Sequence, residues 1–547
     1  MQLVIPMAGF GERFRREGYA VPKPMIPVMG RPMVAWVIDL FPFVDEVLLI
    51  CNDAHLGSTA YDMAGTLKTH CPTARVVSVP AHREGPVRTV VDAADHLHVD
   101  GEIIVSVCDL NFIWNHAAFR EHLETEHPEG TILTYRGWHP HFLNSTHYGF
   151  VQETDGWVSR VREKGHFTDD PVANEEPCSN GVYYFKSGRK MLDEMRQLQL
   201  RPEERINGEL YISQVYGLLL EEGCRISAFD HPYYFQWGTP HDLEVWQHHA
   251  ESLASRVQPR PRTPSRRGTL LIPMAGLGSR FANEGWTTPK PLIPVCGAPM
   301  VVQAARDLPA FEHTIFVLRR DMPDAEAMAR VLQAWFPGSV LVWLDGPTDG
   351  QATTVVLGLQ QGEADPEAPV VIGCCDNGVL HDEHAHEAWL DDASRSSALI
   401  WTMAGHPGAA LRPHHFSWVS CDDNGRVQGV SVKQPLGSPR SDPMVIGTFS
   451  FRRAGDVLEA YARLTERGAR VGGELYMDAL IDDHRALGGT VSCHQVDHYD
   501  GWGTPDELRS FQYWQSALDA WPAHDYAMAR DPRVVHASSP LHEAHTP

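Results

Sequence analysis

No apolar run in this sequence approaches the length needed to cross a bilayer, and the opening residues, Leu3-Val4-Ile5 among them, carry neither a basic leader nor a small-residue cleavage site. The expectation is a cytoplasmic protein with no membrane segment. Basic charge is also short, with 46 Lys and Arg against 70 Asp and Glu and a formal net charge of −24. Such a chain repels nucleic acid and anionic lipid, and holding a polyanionic small molecule would require a few concentrated cationic residues and a metal ion. Metal-finger spacing is missing too: of ten cysteines only Cys374 and Cys375 stand close together, and several others lie in apolar runs as core thiols do in a reducing compartment. What is present is ordinary for a globular protein, 43% hydrophobic and 21% charged residues. A chain of 547 residues is too long for one core and long enough for two.

The sequence repeats itself. Met7-Ala8-Gly9-Phe10-Gly11-Glu12-Arg13-Phe14 returns as Met274-Ala275-Gly276-Leu277-Gly278-Ser279-Arg280-Phe281, and Pro22-Lys23-Pro24 returns as Pro289-Lys290-Pro291, both 267 residues on (Gly9 to Gly276, Lys23 to Lys290). Cys108-Asp109 matches Cys375-Asp376, Gly208-Glu209-Leu210-Tyr211 matches Gly473-Glu474-Leu475-Tyr476, and Trp237-Gly238-Thr239-Pro240 matches Trp502-Gly503-Thr504-Pro505. Five motifs in one order at a near-constant offset indicate duplication of a whole domain. The reading is a first copy over 1–250, a Pro- and Arg-rich linker over 251–267, a second copy over 268–515 and a peripheral tail over 516–547.

Within the first copy, short apolar runs predict strands at Leu3 to Ile5, Val47 to Ile50, Val76 to Val79, Ile103 to Val107, Ile132 to Tyr135 and Val182 to Phe185. Helix-length segments such as Pro32 to Leu40 and Val87 to His96 fall between them. The expected fold class is α/β, two tandem Rossmann-like domains with mixed, mostly parallel central sheets and a ligand crevice at the carboxyl ends of the strands. The aromatic runs Tyr183-Tyr184-Phe185 and Tyr233-Tyr234-Phe235 read as strand core, and His381-Asp382-Glu383-His384-Ala385-His386 reads as a solvated helix start rather than a zinc site.

Glycines after a strand let backbone N–H groups close around phosphate, Arg13 and Arg280 can fork onto phosphate oxygens, and flanking prolines would hold Lys23 and Lys290 in extended backbone. A carboxylate ending a buried strand, Asp109 or Asp376, can hold Mg²⁺ against those oxygens; the plainer alternative is a helix cap.

Taken together, the strand, Met-Ala-Gly-x-Gly-x-Arg-Phe, Pro-Lys-Pro, strand-end Asp, Glu163-Lys164 before Asn180-Gly181, Gly-Glu-Leu-Tyr and Gly-Thr-Pro resemble the sugar-1-phosphate nucleotidylyltransferase family along nearly all of both copies. The resemblance implies a nucleotidyltransferase (GT-A-like) fold. It also implies transfer of NMP from an NTP to a phosphorylated acceptor, with pyrophosphate released and Mg²⁺ as cofactor, in activated-sugar, glycan or secondary-metabolite synthesis. By position, Ala8, Gly9 and Gly11, with Ala275, Gly276 and Gly278, would wrap the triphosphate. Arg13, Lys23, Arg280 and Lys290 would carry the catalytic charge. Glu84 and Gly85, with Asp349, Gly350 and Gln351, would lie near the base. Glu163, Lys164, Asn180 and Gly181, with Lys433 and Gly447, would meet the acceptor, and Asp109 and Asp376 would take the metal. A pseudo-dimer within the chain or a homo-oligomer is compatible with this plan.

Two departures stand out. Where the family shows a second metal ligand, two residues before the late Gly-Thr-Pro, the copies have Gln236 and Gly501, with Asp500 displaced by one. The second copy also has Val432 for Glu163 and Ile446 for Asn180, so a different acceptor pocket is expected there. The competing readings are a non-catalytic nucleotide-binding regulator and a metal-dependent glycosyltransferase; the latter would want Asp-x-Asp where the chain has Asp109-Leu110-Asn111 and Asp376-Asn377-Gly378.

Overall fold

The computed structural model describes residues 1–260 and 263–535, which fall into two units, Met1–Trp246 and Gln247–Pro547. In the first unit, β-branched and aliphatic runs buried on both faces make a nine-stranded sheet. Across the sheet the order is Arg75–Val79, Glu46–Asn52, Gln2–Met7, Ile103–Ser106, Cys178–Phe185, Gly130–Tyr135, Ile226–Asp230, Trp157–Arg162 and Phe150–Thr154. The first four strands are mutually parallel, and Cys178–Phe185 enters antiparallel to both its neighbours. One apolar cluster covers each face, one around Val4, Leu48, Val87 and Tyr216, the other around Leu3, Leu49, Val37 and Tyr184.

The second unit repeats this order with Val340–Leu344, Phe311–Arg319, Arg266–Pro273, Val370–Ile372, Met444–Phe451, Ala398–Met403 and Val491–Gln495, the hairpin Trp418–Cys421 and Val427–Ser431 pairing on Met444–Phe451. Its pairing directions are the same. Both units are therefore α/β with mixed central sheets, as the periodicity predicts.

In each unit a two-stranded ribbon stands outside the main sheet, Leu110–Ile113 with Tyr233–Gln236 and Asn377–Leu380 with His498–Gly501. It brings a late segment back to the end of the central strand, so that Trp237 N–H donates to the Asp109 carbonyl (3.0 Å) and Trp502 N–H to that of Asp376 (2.9 Å). Because the strand-end acid leads into this ribbon, the helix-cap alternative for Asp109 and Asp376 does not hold.

Three expectations need correction. The presumed linker is structured: helix Pro240–Arg256 runs past position 250, and Thr263 donates to Glu383 while Arg266 pairs with Glu387 and Asp391 (2.6 Å). Pro261 and Arg262 lie outside the described residues. The tail is not peripheral over its first part either. Helix Pro505–Ala520 is followed by buried Trp521, Tyr526 and Arg533, and Val535 N–H donates to the Cys296 carbonyl at 2.8 Å; residues 536–547 lie outside the described residues. Finally, the His381 to His386 segment is a helix start as expected, with Asp382, His384 and Ala385 exposed, but its two end histidines are not solvated. Asp382 caps helix Glu383–Asp391, yet His381 and His386 are buried, with His386 against Ser450 Oγ at 3.0 Å. Among the described residues no helix is long and apolar enough to cross a membrane.

Candidate active site

The chemistry gathers at the carboxyl ends of the parallel strands. After Gln2–Met7 the chain turns through Ala8-Gly9-Phe10-Gly11 into the short helix Glu12–Arg16, and after Arg266–Pro273 through Ala275 to Gly278 into Ser279–Asn283. Gly11 and Gly278 hold φ near +62°, where a side chain is strained, and a Cβ on either would lie 3.3 Å from the Cβ of Lys23 or Lys290. Gly9 and Gly276 differ: a Cβ there would meet no protein atom within 4 Å, so the missing side chains leave an open cradle lined by backbone. Ala8 and Ala275 are buried below it, and Arg13 and Arg280 are exposed on the first turn of the helix.

Lys23 and Lys290 do not sit in extended backbone as expected. Only the preceding Pro22 and Pro289 are extended (ψ 146° and 136°), and each lysine begins a single 3₁₀ turn, Lys23–Met25 and Lys290–Leu292. That turn aims the amine under the glycine loop, where Lys23 pairs with Asp109 and Lys290 with Asp376 (2.5 Å). Burial alone would lower the Lys290 amine, but the Asp376 carboxylate outweighs it and the net shift is upward. In the second unit these groups border a cavity of about 550 Å³ lined also by Trp286, Thr348, Gln351 and Glu474. Burial pushes the neighbouring thiols of Cys108 and Cys375 up to about 12, which favours their protonated form.

A second acid stands beside each of these pairs, and sequence reasoning did not single it out. Asp242 and Glu507 follow the late Gly-Thr-Pro in helix-capping positions, accepting from Thr239 Oγ1 (2.6 Å) and from Thr504 N–H (2.9 Å). A Cβ on Gly503 would lie 3.2 Å from Asp376 Oδ2 and 3.4 Å from Glu507 Oε2, so two carboxylates converge there. Their four-residue offset from a glycine is the signal that could have found them. Asp500, displaced by one residue from the family's second-ligand position, points elsewhere. In the ribbon Gly501 pairs with Asn377 and Asp500 with Gly378, and a shift of one residue along a strand reverses the face. Asp500 is buried against Ser252 (2.9 Å), Arg256 (2.8 Å) and Arg533 (3.4 Å). Burial would raise its carboxyl, but the two guanidiniums hold it well below the usual range. His248 and His249 lie close enough to Asp500 to suggest a metal site, but the acid is already neutralised twice over.

Glu84-Gly85 and Asp349-Gly350 are placed by backbone. Leu210 N–H donates to the Glu84 carbonyl (3.0 Å) and Leu475 N–H to that of Asp349 (2.8 Å). A Cβ on Gly85 would fall 2.5 Å from the Leu210 carbonyl oxygen, and one on Gly350 2.3 Å from that of Leu475, both at positive φ. The side chains of Glu84 and Asp349 are spent on Arg205 (2.9 Å) and Arg470, whereas Gln351 lines the cavity of the second unit. We expect Gly85→Ala to destabilise the first unit by about 2–4 kcal/mol, combining the strain of an extended positive-φ backbone (φ 90°, ψ 176°) with a forced separation of this ladder. Chemical denaturation of the variant beside wild type checks it.

Lys164 and Lys433 both adopt φ near +55°, at 53° and 56°, which turns each amine onto the tyrosine of Gly-Glu-Leu-Tyr. Lys164 donates to Tyr211 Oη, and Lys433 donates to Tyr476 Oη at 2.6 Å. Beside Lys164, Glu163 accepts from Ser213 Oγ (2.5 Å), and burial raises its carboxyl. The second unit has no acid before its lysine but supplies one from another element. Asp478, at the position of Ser213, accepts from Ser417 Oγ (2.8 Å), and burial pushes it up to about 6. Ser417 stands where the first unit has Gly149, whose absent Cβ leaves room 2.9 Å from Glu163 Oε2. The three positions thus exchange together: Gly149, Glu163 and Ser213 against Ser417, Val432 and Asp478. Asn180 is buried and turned inward, donating to His231 Nε2 (2.8 Å) and accepting from Val182 N–H (2.9 Å). Gly181 and Gly447 are required by positive φ and by Val107 and Cys374 packed against them.

One consequence concerns pH. Burial pushes Asp242 up to about 6 from an ordinary 3.8, against the Thr239 hydrogen bond and the positive charge of Arg13 and Lys23. The folded state therefore holds this proton more tightly than the unfolded chain, and the stabilisation it gives is full below pH 3.8 and is lost as pH rises through about 6. Asp242→Asn removes that slope, so its melting temperature should gain on wild type at pH 7.5 relative to pH 4.5. Parallel melting curves at the two pH values test it.

Each unit is thus an α/β domain with a glycine-rich turn after its first sheet strand and a lysine–carboxylate pair beside that turn. Residues 3–173 match the model of the MobA-like NTP transferase domain. The chain is 24% identical over 222 residues to the bifunctional protein GlmU of Fervidobacterium nodosum, covering 40% of this chain and 44% of that protein. It is 28% identical over 233 residues to GlmU of Geobacillus thermodenitrificans, covering 42% and 46%. The chain thus spans less than half the length of these curated relatives. Solved structures similar to it include a nucleoside-diphosphate-sugar pyrophosphorylase from Vibrio cholerae RC9 (22% identity, 44% of this chain and 97% of that one, TM-score 0.36). Another is the inositol-1-phosphate CTP transferase from T. maritima (12% identity, 46% and 96%, TM-score 0.35).

Proposed function

We propose that each unit is a nucleotidyltransferase site that moves NMP from an NTP to a phosphorylated small-molecule acceptor, a sugar phosphate or a similar metabolite. The observation that carries this reading is the pairing of Lys23 with Asp109 and of Lys290 with Asp376 under an open glycine cradle. An acceptor phosphate oxygen attacks the α-phosphorus, the bond from α-phosphorus to the bridging oxygen breaks, and pyrophosphate leaves with the electron pair. An ionised phosphate is already nucleophilic, so no general base is needed, and the protein's part is alignment and charge neutralisation. The lysine amine, released from its carboxylate, would meet the phosphates, with Arg13 or Arg280 beside it.

Asp109 and Asp376 would hold Mg²⁺, and the donor set fits: hard carboxylate oxygens, Glu507 converging on Asp376 in the second unit, Asp242 within the electrostatic reach of Asp109 in the first, and room for phosphate oxygens to complete the shell. When bound, the ion supplies charge neutralisation at the reacting phosphates. Lys164 and Lys433 would take the acceptor phosphate. Lys164→Ala then raises the acceptor KM by roughly 10- to 100-fold, the 1.5–3 kcal/mol of a charge-assisted hydrogen bond, with nucleotide affinity retained. Calorimetry with each substrate separately checks it.

The reading itself is tested by a pyrophosphate-release screen of the four NTPs against sugar phosphates and other phosphorylated metabolites. Release with at least one pair supports it. If no pair releases pyrophosphate while nucleotide still binds, the regulator reading takes its place.

A further inference from the structure

The second unit holds a feature with no counterpart in the first. Cys421 ends strand Trp418–Cys421, Cys493 lies in strand Val491–Gln495, and their Sγ atoms are 3.3 Å apart. The two strands are not neighbours in the sheet. They meet because the hairpin's turn, closed by Asp422 N–H on the Arg426 carbonyl (2.9 Å), brings Arg426 into a bridge with Ser492. Cys421 is exposed and Cys493 half-buried, so one thiol can be reached from solvent while the other waits behind it. At the matching sheet positions the first unit has Glu153, which is paired with Arg136 (3.2 Å), and Ala228. The remaining eight cysteines are all less exposed than Cys421.

We propose that Cys421 and Cys493 form a reversible disulfide, making this edge of the second unit a thiol-modification site for small disulfides of the glutathione type. The accessible Cys421, as thiolate, attacks one sulfur of the small disulfide; that S–S bond breaks, one small thiol leaves, and a mixed disulfide remains on Cys421. Cys493 then gives up its proton and attacks Cys421 Sγ, expelling the second small thiol. Two protein thiols and one disulfide become one protein disulfide and two thiols, so protons and electrons balance. The polarity of the pair suits this order: the hydrogen bond from Cys493 lowers the Cys421 thiol and, in return, raises that of Cys493.

The bond would fasten the hairpin that leads into Lys433 onto the strand that leads, through His498–Gly501, to the backbone holding Asp376. A covalent tie there is a constraint on the acceptor side of the second unit and leaves the first unit as it is.

The test uses the full-length reduced protein and oxidised glutathione in excess. The expected result is the loss of two of the ten thiols and a tryptic peptide pair joined through Cys421 and Cys493, both reversed by dithiothreitol. Cys493→Ser should trap glutathione on Cys421 as a stable adduct, whereas Cys421→Ser should lose no thiol at this site. Wild-type protein that keeps glutathione on Cys421 without resolving it would overturn the proposal, and so would all ten thiols surviving, a bond between other cysteines, or bonds formed only between chains.

Discussion

Lys23→Ala and Lys290→Ala are expected each to lower the turnover of their own unit on the order of 10²–10³-fold, the loss typical when one preorganised donor to developing charge is removed. Both lysines are held under the glycine loop by a carboxylate, so neither is a surface charge whose loss solvent would mask. Removal also leaves Asp376 beside Glu507, and Asp109 within reach of Asp242, without the lysine's neutralising charge in the free protein, which weakens binding of a polyanion further. The informative design makes the two single variants and the double variant and assays each across the substrate panel. Because the units differ at Glu163 against Val432, Asn180 against Ile446 and Arg88 against Thr353, the single variants should abolish different activities. If one single variant removes all activity while the other removes none, two working sites is the wrong reading.

Asp109→Asn and Asp376→Asn are expected to fall at least as far, and differently. Each keeps shape and volume while removing the charge that would hold Mg²⁺, so the loss should exceed the 10- to 100-fold typical of losing a residue that only supports a metal ligand. Part of it should return at high metal concentration, since the second carboxylate remains. Metal titrations of turnover for wild type and variants give the test, and full wild-type turnover in excess chelator would remove the metal from the proposal. Either variant also frees Lys23 or Lys290 from its ion pair, so thermal stability should be followed beside activity to separate the two effects.

Much of this plan was legible in the residues because it rests on local rules. Apolar runs gave the strands from Leu3, Val47, Val76, Ile103 and Ile132 to within a few residues, and the repeated motifs marked the second unit. The hairpins Phe150–Thr154 with Trp157–Arg162 and Trp418–Cys421 with Val427–Ser431 escaped because their polar, half-exposed strands lack an apolar run. The site was harder for a different reason. Strand-end acids and loop lysines announce themselves by position, but whether Asp500 or Glu507 faces Asp376 depends on a one-residue register in a ribbon whose strands are over a hundred residues apart. Buried roles were opaque as well: nothing near Asn180 in sequence tells that its amide is spent on His231, or that Glu84 is spent on Arg205. The Arg- and Pro-rich stretch looked like a spacer on composition alone, although Arg266 and Thr263 find carboxylates more than a hundred residues on.

The relocated acid has a consequence for how such a pair of sites can diverge. In the first unit the carboxyl comes from the lysine turn and meets Ser213; in the second it comes from the helix at Asp478 and meets Ser417. A glutamate introduced at 432 would arrive against Asp478, and an acid introduced at 213 would arrive against Glu163, crowding two carboxylates where burial already resists ionising one. Passing from either arrangement to the other one substitution at a time therefore runs through a pocket with two acids or with none. Each unit sits in its own basin of compatible sequences, separated by an epistatic ridge, and single-residue exchange between the halves will read as loss of function even where the completed triple exchange restores the pocket.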